Sequence, residues 1–114
     1  MSERGVPELI EDITEAVKRI RDYVADMDYP VFLRDKKTQD AVVRNLEIIG
    51  EAAKKVPSAF RARHERIPWK KMAGLRDVLI HDYFGINLEI IWAVASDNLP
   101  PLIGPLKKAL SSFR

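Results

Sequence analysis

The chain contains two histidines, His64 and His81, so any step that needs an imidazole near neutral pH has two candidates. They keep different company. His64 lies in a loop among Arg61, Arg63 and Arg66, where a polar side chain is ordinarily just solvated. His81 belongs to the run Gly74-Leu75-Arg76-Asp77-Val78-Leu79-Ile80-His81-Asp82-Tyr83-Phe84, an R-x4-H-x-Y arrangement. An arginine binds phosphate oxygens through a planar fork of donors, and a histidine can pass a proton at working pH. Asp77 stands four residues before His81, which makes it a neighbour on a helix surface, able to orient the imidazole and favour its protonated form. On one straight helix Tyr83 returns to within about 20° of Arg76, whereas His81 sits about 140° round from it. A single copy therefore does not bring all three together, and two copies facing each other across a dimer assemble them more easily. The same residues also fit a plainer arrangement, with Arg76, Asp77, His81 and Asp82 in surface ion pairs and Tyr83 and Phe84 packed inward.

These side chains need helices to position them. From Pro7 onward Leu9, Ile13, Ala16, Val17, Ile20, Tyr23 and Val24 recur at three- and four-residue steps, one apolar stripe of a first helix that should stop before Pro30. A second helix of about five turns starts near Asp35 and buries Val42, Leu46, Ile49, Ala52, Ala53 and Val56, with Pro57 closing it. Gly50 lies inside that stripe, at a cost of about 1 kcal/mol against alanine; either another helix approaches closely there or the glycine is merely tolerated. A short helical turn over Ser58 to Arg63 and a loop lead to a third long helix, with Pro68 at its first position and Gly85 at its end. Asn87 can cap a fourth helix through Ile90, Ile91, Val94 and Ala95, which Pro100 and Pro101 break before a last segment from Leu102 to Phe113. The expected fold is all-α, an up-and-down bundle of four or five helices forming a single domain over residues 1–114. The wide apolar face on Ile90, Ile91, Trp92, Val94 and Leu99 either completes the core or forms part of a homodimer seam.

Composition narrows the function classes. With 46% apolar and 32% charged residues the chain can bury a core beneath a solvated surface. It has no cysteine, which excludes a disulfide framework and thiolate metal sites and fits a reducing compartment, with the cytoplasm expected. Acids interrupt every apolar run from Met1 to Ile20, so neither a secretion signal nor a membrane span is expected. The net charge of +2 conceals a polarity. Ala52 to Arg76 holds eight basic residues against Glu65 alone, a local +7, while Glu8 to Asp28 holds seven acids and three bases.

The R-x4-H-x-Y segment resembles the signature of the HEPN superfamily, specifically the HepT-like ribonuclease toxins. The likeness extends to Val43-Arg44-Asn45-Leu46-Glu47-Ile48-Ile49-Gly50-Glu51-Ala52, which looks like that family's second helix. Ile67-Pro68-Trp69-Lys70 looks like the approach to its third, and Leu88-Glu89-Ile90-Ile91-Trp92 like its fourth, so that Leu9 to Leu110 is covered. The resemblance implies a metal-independent endoribonuclease that needs no cofactor, acts as a homodimer with a shared cleft, and is held in check by a minimal nucleotidyltransferase antitoxin. Arg76 would then clamp the scissile phosphate, and His81 would serve as base on the ribose 2′-hydroxyl or acid to the leaving oxygen. Lys54, Lys55, Lys70 and Lys71 would attract RNA phosphates without regard to sequence. Tyr83 would be the residue to which the antitoxin transfers AMP; its other role is plain core packing. Asp77 departs from many relatives, which carry a neutral polar residue there, and sets a negative charge close to the proposed phosphate.

Two further functions fit a helical bundle of this kind: a non-catalytic partner that helps a nucleotidyltransferase bind its substrate, and a structural dimer with no nucleic-acid role. The complete set of Arg76, His81 and Tyr83 favours the enzyme, because a pure binding module has no chemical reason to keep the three together.

Overall fold

The computed structural model describes residues 5–81 and 87–113, without the side chains of Val78, Ile80 and His81. Asp82, Tyr83, Phe84 and Gly85, singled out above, lie outside the described residues. Every regular element among those described is helical: α1 (Val6–Val24), α2 (Tyr29–Arg34), α3 (Lys36–Lys55), α4 (Ser58–Arg63), α5 (Trp69–His81), α6 (Leu88–Ala93) and α7 (Ile103–Ser111). A π-helical turn over Val94–Asn98 and a 3₁₀ turn over Pro100–Leu102 join the last two.

The apolar stripe of α1 does what its spacing implies: Ile10, Ile13, Val17 and Ile20 are fully buried. They belong to one core with Val42, Leu46 and Ile49 of α3. In this layout α1 packs on α3, α3 on α5, and α7 on α1. Each such aliphatic side chain taken from water contributes about 1.5–3 kcal/mol before the loss of conformational entropy is counted.

The structure adds one helix to those read from the apolar spacing. Asp28-Tyr29-Pro30 not only follows the first helix but also starts α2, with Asp28 accepting the Val31 N–H at 3.0 Å and Pro30 in the first turn, where its missing N–H leaves nothing unpaired. The far end of α2 is closed by Gln39, whose buried amide donates to the carbonyls of Phe32 (2.9 Å) and Leu33 (3.2 Å). Asp35 caps α3 by accepting from the Thr38 N–H at 3.0 Å and the Thr38 hydroxyl at 2.8 Å. Those bonds, the backbone one foremost, hold its carboxyl below the usual carboxylate range.

The apolar face expected on the fourth helix mostly enters the core. Ile91 and Leu99 are buried, and the Trp92 ring leans on Phe32 at 5.2 Å and on Tyr29 at 6.3 Å. Ile90 remains 53% exposed. Asn87 caps α6 as expected, accepting from the N–H groups of Glu89 and Ile90. The proline break also occurs, preceded by a widening of the helix: the Leu99 N–H reaches back five residues to the Val94 carbonyl at 3.0 Å. Pro100 has no N–H to continue an α ladder and its ring would strike the carbonyl four residues back, so the chain expands, then tightens, before α7.

Candidate active site on the third long helix

The approach to α5 is fixed by aromatic packing. Phe60 is buried, meets Trp69 edge-on at 6.1 Å and lies against the tilted His64 ring at 4.5 Å between ring centroids. The Trp69 indole N–H donates to the His64 carbonyl at 3.0 Å, so a buried tryptophan satisfies its polar tip while holding the loop. Helical hydrogen bonding begins at the Pro68 carbonyl, which accepts from the Met72 N–H at 3.0 Å. His64 is therefore half-buried against Phe60, a more constrained position than the freely solvated one its neighbours in sequence imply.

From there α5 passes α3 at close range. A Cβ placed on Gly50 would lie 3.0 Å from the Arg76 backbone nitrogen, 3.1 Å from the Arg76 Cβ and 3.3 Å from the Met72 carbonyl oxygen. The mid-helix glycine thus marks a helix crossing, the first of the two explanations its position allows. What it clears is the backbone of the turn from Met72 to Arg76.

Although its backbone touches α3, the Arg76 side chain is exposed. Among the described residues it has neither a hydrogen bond nor an ion pair, and the same holds for the exposed Asp77. A guanidinium that none of the described residues engages can turn its donors to a ligand. His81 is the last residue of α5, five residues and about 7.5 Å of helix rise beyond Arg76. Helical geometry sets position 81 on the side of α5 opposite buried Met72, while Arg76 is only about 40° from Met72.

The four lysines expected to attract phosphate are all exposed. Lys54 and Lys55 end α3, and Lys70 and Lys71 begin α5. Since Gly50 faces the Met72 to Arg76 turn and the chain reverses through α4, these two pairs lie at the same end of the α3–α5 hairpin. Lys55 also meets Glu51 at 3.9 Å, an exposed contact of little energetic weight.

One residue of the basic segment has a structural duty instead. Arg61 donates through Nε to the Val56 carbonyl at 3.0 Å and through its terminal nitrogen to the Ala53 carbonyl at 2.6 Å, closing the C-terminus of α3. Charge counting along the sequence cannot separate it from its neighbours. Replacing it with alanine leaves two carbonyls without their charged donor, and we expect a loss of about 2 kcal/mol in denaturant unfolding, within the range for hydrogen bonds to charged groups.

Comparison with known proteins bears on this helix directly. The family model described as "Ribonuclease HepT-like" matches residues 13–109, which takes in the whole of α3 and α5. The chain belongs to the HepT-like ribonuclease family. It is 50% identical over 113 residues to a protein of Methanocaldococcus jannaschii named as a putative RNase, covering 99% of this chain and 93% of that one. It is 44% identical over 105 residues to a protein of Thermococcus cleftensis named "Probable ribonuclease HepT", covering 92% and 96% of the two chains. A protein of Caldanaerobacter subterraneus named as a putative RNase is 41% identical over 101 residues, covering 89% and 90%. No solved structure matches the chain. Among the described residues no helix is long and apolar enough to cross a membrane.

Proposed function

We propose that this HepT-like chain is a metal-independent endoribonuclease toxin that needs no cofactor and cuts RNA at a site shared by two copies. The observation that carries this reading is an exposed Arg76 guanidinium, unpaired among the described residues, standing one and a half turns before His81 on the family's motif helix. Arg76 grips the scissile phosphate and stabilises the charge that develops on it. His81 takes the proton of the ribose 2′-hydroxyl as that oxygen attacks phosphorus, or returns one to the leaving 5′-oxygen; a 2′,3′-cyclic phosphate is the product. Asp77 orients the imidazole.

Helical geometry gives the two catalytic positions different sides of α5, which favours a site completed by a second copy. Exposed apolar residues support such pairing: Ile90 on α6 and Val31 and Leu33 on α2, two elements packed on each other. Lys54, Lys55, Lys70 and Lys71 draw the RNA in by charge. A minimal nucleotidyltransferase antitoxin silences the site by transferring AMP to Tyr83, which sets a phosphate charge and a nucleotide's bulk beside the arginine. One domain over residues 1–114, working in the cytoplasm, accommodates all of these roles.

Purified protein incubated with RNA in excess chelator tests the reading. Fragments ending in a cyclic phosphate are the expected result, and intact RNA would refute it. With the antitoxin and ATP, the chain gains the mass of AMP and a Tyr83→Phe variant does not. Cleavage abolished by chelator and restored by a divalent cation would point to a different mechanism.

A further inference from the structure

A second cationic feature lies away from Arg76. Between the loop after α4 and the start of α7 is a cleft of about 570 Å³, lined by Arg63, His64, Arg66, Gly104, Pro105 and Lys108. Its residues meet only through folding, because Lys108 is some forty positions downstream of Arg66. Three permanent cations and an imidazole share it with a single acid, Glu65.

None of the three cations is neutralised: among the described residues, Arg63, Arg66 and Lys108 make no ion pair and no side-chain hydrogen bond. Like charges held around one concavity repel, and an anion relieves that repulsion. The wall is also preformed. The His64 ring lies tilted against buried Phe60, the Arg63 guanidinium lies 5.6 Å over the Phe60 ring, and the His64 carbonyl is tied to Trp69. At Gly104 nothing lies within 4 Å of where a Cβ would sit, so backbone is open to a ligand there.

The position of the cleft suggests which anion. Arg66 precedes the first residue of α5 by three, and Arg76 follows that residue by seven, about 10 Å along the helix axis. Lys71, on the first turn of α5, lines a second groove with Pro68, Leu75, Leu99 and Leu102, and Pro68 follows Ile67 of the cleft in the chain. A polyanion held at Arg76 is long enough to reach both, whereas a single small anion is not.

We propose that this cleft is a second phosphate-binding site, which anchors the RNA backbone several nucleotides from the cut. The inference rests on the ribonuclease reading and extends it, by giving the substrate a minimum length. RNA held here contributes affinity through counterion release and leaves the bond-breaking step to α5.

The test compares the parent protein with an Arg66→Ala/Lys108→Ala variant, using a single-stranded RNA of twenty nucleotides and a trinucleotide, each across a range of salt concentrations. Both residues are exposed, so the variant should keep the parent's melting temperature, which is checked first. For the long RNA the slope of log affinity against log salt should fall by about 1.4, from two lost single-strand phosphate contacts, with binding weakened at least about tenfold at low salt. The parent's preference for the long RNA over the trinucleotide should shrink with it. An unchanged slope and an unchanged length preference, in a parent that does cleave RNA, would overturn the cleft alone. A parent that neither binds nor cleaves RNA would overturn the ribonuclease reading and the cleft with it.

Discussion

Replacing His81 with alanine should lower RNA cleavage by about 10²–10⁴-fold, the usual worth of a positioned general acid or base. Arg76→Ala should lower it by about 10²–10³-fold, the cost of removing one preorganised stabiliser of transition-state charge. The double variant should be little worse than the poorer single one, because groups that act as a unit lose their effect together. Arg76→Ala should keep the parent's thermal stability, since the side chain is exposed and makes no described polar contact. Single-turnover cleavage of a labelled RNA measures the first effect and thermal denaturation the second. Cleavage by either single variant at the parent's rate would defeat the catalytic assignment.

The same two variants report on the shared site. If Arg76 of one copy works with His81 of the other, mixing the two inactive proteins through a denaturation and refolding cycle rebuilds one intact site in each mixed dimer. Activity should then return to roughly a quarter of the parent's, the statistical share of intact sites when copies pair at random. If each copy carries its own complete site, the mixture stays inactive. Either result is informative, because by helical pitch positions 76 and 81 are about 140° apart on α5.

Substitutions at Gly50 should touch both stability and rate. A valine there forces its branched side chain into the Arg76 backbone and the Met72 carbonyl, which already lie 3.0–3.3 Å from a mere Cβ. Those neighbours are helix backbone and cannot rotate away, so overpacking of about 1–3 kcal/mol is expected in denaturant unfolding. Gly50→Ala is the sharper measurement. Its gain in helix propensity, about 1 kcal/mol, offsets the tighter contact and leaves stability near the parent's. The turn bearing Arg76 must still shift by a few tenths of an ångström, and kcat should fall on the order of tenfold, given how steeply rate depends on placement. Equal kcat for Gly50→Ala and parent would show that the crossing serves packing alone.

Much of this protein was determined locally, and those parts could be read without coordinates. Apolar residues at helical spacing in α1 and α3 had no other face to bury, Asp35 and Asn87 could cap only the segments that follow them, and Ser58 to Arg63 had the length of a short helix. Arg76, Asp77 and His81 share a helix by spacing, so their relative angles followed from its pitch. Even α2 left a local signal, an aspartate two residues before a proline, which serves equally to end one helix and to begin another. What folding alone decided are relations between residues distant in the chain. The spacing around Gly50 allowed a close crossing or an idle glycine, and only the packing of α3 on α5 put the Arg76 backbone against it. Arg61 is one cation among eight in its segment until the end of α3 turns two carbonyls toward it. Lys108 joins Arg63 and Arg66 because α7 folds back beside the loop after α4. Helical periodicity is a property of neighbours, whereas the company a side chain keeps across a bundle depends on how whole helices pack.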